Sequence, residues 1–118
     1  MENIGKEPSI VHGTVHGPGY SASKGISAAR TLQEPFADRF HVYGVEWSAD
    51  AIEFFIDGKR YARVTHAPLP GGAAWVFDKP FFLLLNVAIG GDWPGNPDAS
   101  TRFPQAMVVD WVRVWRHG

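Results

Sequence analysis

Apolar and polar positions alternate with a period of two over several short stretches of the chain, which is the signature of strands with one face buried. From Phe40 to Trp47, Phe40, Val42, Gly44 and Glu46 fall on one face, and His41, Tyr43, Val45 and Trp47 on the other. From Met107 to Trp115, Met107, Val109, Trp111, Arg113 and Trp115 alternate with Val108, Asp110, Val112 and Val114. Ser9 to His16 is rich in β-branched residues and ends at Gly17-Pro18-Gly19, a strong turn signal. Ala51 to Ile56 and Arg60 to Thr65 flank Asp57-Gly58-Lys59, and Asp-Gly between two such runs predicts a hairpin because both residues tolerate positive φ. Phe81 to Ile89 is almost continuously apolar and closes on Gly90-Gly91, which predicts a strand buried on both sides. Residues 17–39 and 92–105 read as long loops, and Ala73 to Phe77 as one short turn of helix. No segment sustains helical spacing and nothing repeats at a fixed period. The expected class is all-β and antiparallel, with residues 1–118 forming a single partial sandwich domain.

Composition agrees with short strands and tight turns, since 13 Gly and 9 Pro accompany 14% aromatic residues. A net charge of −1 provides no basic footprint for nucleic acid or an anionic membrane, so neither is expected as a partner. The longest apolar run falls well short of the roughly 20 residues of a membrane span. The start, Met1-Glu2-Asn3-Ile4-Gly5-Lys6, has no apolar core of a signal peptide, so an export signal is expected only upstream. The absence of cysteine excludes disulfides and thiolate metal sites.

Four features carry candidate chemistry. His12 and His16 invite a metal, but residues four apart on a strand lie about 13 Å from each other, too far to share one ion. Trp93, in Gly-Gly-Asp-Trp-Pro-Gly, offers an indole on which the apolar face of a sugar ring can stack, and the Asn86 amide can bond to sugar hydroxyls. Trp47, Trp75, Trp111 and Trp115 fit packing roles better. Asp110 interrupts an apolar strand face and, if buried, needs an ion-pair partner such as Arg113 or Arg116, or a metal.

Five segments in order, Met1-Glu2-Asn3-Ile4-Gly5, His12 to Tyr20 (HGTVHGPGY), residues 40–59 (FHVYGVEWSADAIEFFIDGK), Leu84 to Gly95 and Val109 to Trp115, resemble glycoside hydrolase family 16, and within it the bacterial endo-β-1,3-glucanases, or laminarinases. The resemblance implies a concanavalin-like β-jelly-roll of two curved sheets with a sugar cleft across the concave one. The family's catalytic strand reads Glu-x-Asp-x-x-Glu, and Glu2 matches its last Glu, the general acid/base. The positions matching the nucleophile and the Asp precede Met1, as does about the N-terminal half of a typical member. A retaining glycosidase needs two carboxyl groups about 5–5.5 Å apart, so efficient β-glucan hydrolysis by these 118 residues alone is not expected. The resemblance also places His16, Asn86 and Trp93 along the cleft and requires no cofactor. It makes Asp110 a candidate ligand of a structural calcium and implies a secreted parent protein.

Two other functions fit the same residues: a glucan-binding module without catalysis, and a self-assembling unit. Several strands apolar on both faces in so short a chain leave a sheet face or edge open, which favours association of copies. Light scattering is therefore expected to give a mass that rises above the monomer's as concentration increases. A monomer at every concentration would contradict that expectation.

Overall fold

The computed structural model describes residues 1–66 and 69–116. The described strands are β1 (Ile10–Val15), β2 (Ile26–Thr31), β3 (Tyr43–Trp47), β4 (Ala51–Ile56) and β5 (Lys59–Thr65). β1 and β2 form one antiparallel sheet, and β3-β4-β5 form a second. The chain divides into two compact units, Met1–Phe81 and Phe82–Gly118, and all five strands belong to the first.

The hairpin forms where the Asp-Gly pair predicts it. Asp57 (φ 50°) and Gly58 (φ 74°) both take positive φ, and β4 runs straight into β5. The turn also captures the chain entering β3. Asp57 Oδ1 accepts from the Val42 amide at 2.9 Å, its Oδ2 lies 2.8 Å from His41 Nδ1, and its own amide donates to Val42 O. Burial would raise the Asp57 carboxyl, but the bonds from Val42 and His41 and the charges of His41 and Arg39 outweigh it and hold the group below its ordinary range. Because Val42 is bonded to the turn, β3 begins at Tyr43 rather than at Phe40.

The two sheets of this unit face each other across a shared core. Ile52, Phe54 and Ile56 of β4 point inward, and Val11 and Val15 of β1 meet them. Between these two valines stands Gly13, where a Cβ would lie 2.6 Å from the Tyr61 hydroxyl oxygen and 2.8 Å from Phe54 Cγ. A register shift opposite Phe54 and Phe55 pairs them with Ala62 and Arg60, which leaves Tyr61 as the extra residue of a bulge. Its ring packs against both core clusters, and burial pushes its hydroxyl up to about 12.

Three expectations are corrected. Residues 17–39 are not one loop, because β2 lies within them and pairs with the whole of β1, Ile10 against Thr31 and Val15 against Ile26. Its residues, Ile26-Ser27-Ala28-Ala29-Arg30-Thr31, are mostly small or polar, so their strand character comes from the ladder and leaves no apolar signature. The helical turn falls at Pro70–Gly72, ahead of Ala73 to Phe77. The latter stretch is tied to the β3–β4 turn region by indoles, since Trp75 Nε1 donates to Ala49 O at 2.7 Å and Trp47 Nε1 to Phe77 O at 2.5 Å. Finally, no strand is found among the described residues of Phe81 to Ile89 or Met107 to Trp115, and their side chains are exposed instead of doubly buried, Leu84 at 78% and Val114 at 89%. An apolar run states a need for cover, but a strand exists only with a hydrogen-bonded neighbour.

The fit at Gly13 generates a prediction. Gly13→Ala should destabilise the first unit by about 1–3 kcal/mol through overpacking against Phe54 and Tyr61. Gly5→Ala, where nothing lies within 4 Å of the new Cβ, should change stability by less than about 0.5 kcal/mol. Urea unfolding followed by tryptophan fluorescence measures both.

Candidate active site

β1 has partners on both edges. On one side is β2; on the other, Glu2 exchanges two backbone bonds with His12, Glu2 N to His12 O at 2.9 Å and His12 N to Glu2 O at 2.8 Å. Residues exchanging both bonds across an antiparallel pair project to the same face. Glu2 therefore shares the face of His12, Thr14 and His16, while Val11, Gly13 and Val15 take the opposite face into the core. The alternation of β1 separates a polar surface from the hydrophobic interior by one residue.

Residues 3–9 turn the chain back so that Glu2 can reach this ladder. Asn3 Nδ2 donates to Ile10 O at 2.7 Å and Pro8 O at 3.2 Å, and Ile4 is buried at 8% exposure. Two short backbone bonds, Glu7 N to Ile4 O and Ile10 N to Glu7 O, complete the turn. On the polar face, Thr14 Oγ1 and Ser27 Oγ lie 2.9 Å apart, linking β1 to β2. Glu7 Oε2 lies 3.0 Å from His12 Nε2.

His16 closes the strand. Its exposed ring lies against Gly25, where a Cβ would come within 2.6 Å of His16 Cε1. Directly after it, Gly17 and Tyr20 exchange two backbone bonds around Gly19 (φ 86°), which is the turn predicted from Gly17-Pro18-Gly19. Tyr20 is fully buried and donates to Ala74 O at 3.1 Å, so the end of β1 is fixed from beneath. Beside His16 an apolar pocket of about 360 Å³ opens, lined among others by Val15, Val45, Trp47, Phe77 and Phe81.

Glu2 and His16 are thus on one face of one sheet. Asn86, Trp93 and Asp110 belong to the second unit and are described within it. Trp93 sits in a turn closed by Gly95 N to Gly91 O at 2.9 Å, with Gly91 at φ 130° and Gly95 at φ 84°, and the indole is 41% exposed. Trp75 packs against the core as expected, whereas Trp111 and Trp115 are exposed, and Arg113 lies 4.8 Å over the Trp111 ring. Asp110 is also exposed, so the burial that would demand a counter-ion is not present. Calcium takes about six to eight oxygen ligands. Among the described residues no group of three or more His, Cys, Asp or Glu side chains could hold a metal.

The other carboxylates near the sheets are occupied elsewhere. Glu53 is paired with Arg60 and Arg63 and stands opposite Glu46, on the face of β4 away from Ile52, Phe54 and Ile56. Asp57 holds the hairpin. Asn3 and Glu7 were not singled out from sequence; the signal available was the polar series His12-x-Thr14-x-His16, whose face any paired residue must share.

His16 is positioned by the absence of a side chain at Gly25. Gly25→Ala should displace the imidazole and also press on Thr14 Cγ2, which lies 2.7 Å from the new Cβ on a stiff β-branched side chain, so it should destabilise the first unit by about 1–3 kcal/mol. Changed His16 ring resonances by NMR together with a lowered unfolding midpoint are the expected result.

The chain matches the family described as glycosyl hydrolases family 16 over residues 1–113. It is 40% identical over 122 residues to a beta-glucanase of Rhodothermus marinus, covering 98% of this chain and 43% of that protein. Among solved structures it is similar to an endo-beta-1,3-glucanase from Pyrococcus furiosus, with 54% identity, a TM-score of 0.81, and coverage of 86% of this chain and 40% of that one. It is also similar to the catalytic domain of an endo-1,3-beta-glucanase (laminarinase) from Thermotoga petrophila RKU-1, with 45% identity, a TM-score of 0.80, and coverage of 85% and 41%. The chain spans less than half the length of these relatives, and its sheets are part of the laminarinase jelly-roll. The all-β fold, the polar face of β1 and the family match agree: this chain belongs to glycoside hydrolase family 16.

Proposed function

We propose that these residues form the acid/base side of a retaining endo-β-1,3-glucanase centre, with Glu2 as the group that protonates the departing glycosidic oxygen. The observation that carries this reading is the seating of Glu2 by two backbone bonds against His12, on the polar face of a strand whose other face is core. A carboxyl so placed is held on a rigid element and remains open to a polymeric substrate. Continued backwards from Glu2, the same antiparallel ladder runs towards Thr14 and His16, the side on which the resemblance puts the nucleophile and the companion Asp. The reaction needs two carboxyl groups and water and no cofactor. His16 lines the cleft beside the reacting bond, while Trp93 stacks on a glucose ring and Asn86 bonds to its hydroxyls. Secretion of the parent protein belongs to the same proposal. The half-exposed Tyr43, Val45 and Trp47, on the core-facing side of edge strand β3, support association of copies through that face.

The 118 residues contain the match to one of the two carboxyl groups, which allows a direct test with an external nucleophile. Given an aryl β-laminaribioside and azide, azide forms a bond to the anomeric carbon from the α face as the bond to the leaving oxygen breaks. Glu2 transfers its proton to that oxygen. The expected product is an α-glycosyl azide, detected by mass spectrometry and NMR. Its yield should fall about 100-fold or more in Glu2→Gln, the scale of a lost general acid for a poor leaving group. An azide product indifferent to Glu2→Gln would contradict the assignment. Laminarin binding that yields no product under any condition and is lost in Trp93→Ala would identify a glucan-binding module instead.

A further inference from the structure

The apolar pocket beside His16 has no part in the proposed reaction. Its floor is core, since Val15 and Phe54 are buried there. Its walls include Val45 and Trp47 of β3 and Phe81, all about half exposed, together with Phe77. Trp47 meets Phe81 edge-on at 5.6 Å, and Phe77 lies 5.8 Å from Phe81. Two bonds fix this aromatic wall in place: the Tyr20 hydroxyl donates to Ala74 O at 3.1 Å, and Trp47 Nε1 to Phe77 O at 2.5 Å. The pocket is thus preformed, and a ligand does not have to order it.

Its volume of about 360 Å³ compares with about 150 Å³ for a dry cavity that holds benzene. A sugar ring carries hydroxyls around its edge, and these would find no partners against Val15, Phe54 and the aromatic wall, so the pocket rejects glucose itself. An alkyl or aryl group meets no such cost. The mouth has the opposite character, since Thr14 and His16, which border it, lie on the polar face of β1. A ligand that fits both is amphiphilic, with a polar head on the strand and an apolar tail below it.

We infer that this pocket binds the apolar tail of an alkyl or aryl β-glucoside whose sugar lies on the polar face of β1. Placing the sugar there rests on the proposed reading of that face as glucan-binding; the tail site does not. Glu2 is level with His12, and His16 stands four residues further, about 13 Å along the strand. The tail is therefore remote from the proposed acid/base position, and its binding is read without turnover.

The experiment titrates the whole isotope-labelled chain with hexyl β-glucoside, methyl β-glucoside and 1-hexanol, reading the Val15 and Val45 methyl and Trp47 indole resonances by NMR. Hexyl β-glucoside should shift these saturably. It should bind at least about tenfold tighter than methyl β-glucoside, which lacks the tail, and than 1-hexanol, which lacks the sugar. Lengthening the tail from butyl to hexyl should tighten binding roughly threefold per methylene. Val45→Lys places a charge in the wall and should weaken hexyl β-glucoside about tenfold or more. Val42→Lys, at an exposed position outside the lining, is the control and should leave binding unchanged. Equal affinity for 1-hexanol and hexyl β-glucoside, or no saturable shift with either, overturns the inference and leaves the glucanase reading standing. Saturable binding of hexyl β-glucoside without any azide product supports the inference and counts against the acid/base role alone. Shifts of equal size at Leu84 and Val114, exposed in the second unit, mean unspecific adsorption and overturn it. Pocket resonances that move with protein concentration and not with glucoside identify a second copy as the occupant and overturn it too. If Val45→Lys fails to fold, Phe81→Ser at the half-exposed wall decides, and undiminished binding there overturns the proposal.

Discussion

The alternation of side chains along β1 is the constraint on which the rest of the first unit depends. A strand of period two must commit every second residue to each face, and here one face is Val11, Gly13 and Val15 and the other His12, Thr14 and His16. The first set closes the core against Phe54, Ile56 and Tyr61, so tightly that a Cβ at Gly13 would overlap Phe54 and Tyr61. The second set is thereby forced outward as a polar surface. A one-residue slip of β1 would bury the histidines and expose the valines, so core packing and site geometry are specified together.

That coupling explains how an exposed carboxyl group is placed with any order at all. Glu2 is exposed and has no packing of its own, but its main chain is paired with a strand whose register the core fixes. The Asn3 amide and the buried Ile4 side chain hold the intervening turn. At the far end of the same strand, Tyr20 beneath and Gly25 beside it set where His16 stands. Position on a rigid strand, more than any single bond, is what this fold supplies to chemistry.

How much of this was legible in the sequence follows from where the signal lies. The Asp57-Gly58 hairpin and β1 announce themselves through local turn chemistry and β-branched residues, and both form as read. β2 does not, because Ser27, Ala28 and Ala29 acquire strand geometry only from β1. The apolar runs from Phe81 to Ile89 and Met107 to Trp115 read as strands for the opposite reason: their composition is that of covered strands, while a ladder requires a neighbour that composition cannot provide. Of the candidate site, Glu2 and His16 are named by the resemblance to a motif alone. The contacts of Asn3 and Glu7 and the pairing of Glu2 with His12 depend on a reversal of the chain between residues 3 and 9, which no local pattern declares.

The account stands on the pairing of Glu2 with β1, and native-state hydrogen exchange reads that pairing directly. The His12 amide, bonded to Glu2 O, and the Glu2 amide, bonded to His12 O, should exchange far more slowly than in an unstructured peptide of the same sequence. Replacing Asn3 by alanine should release both amides while the Val11 and Gly13 amides, which face the β2 ladder, stay protected. Glu2 and His12 amides that exchange at the unstructured rate in the wild-type chain would contradict the account, because Glu2 would then have no fixed place on the polar face.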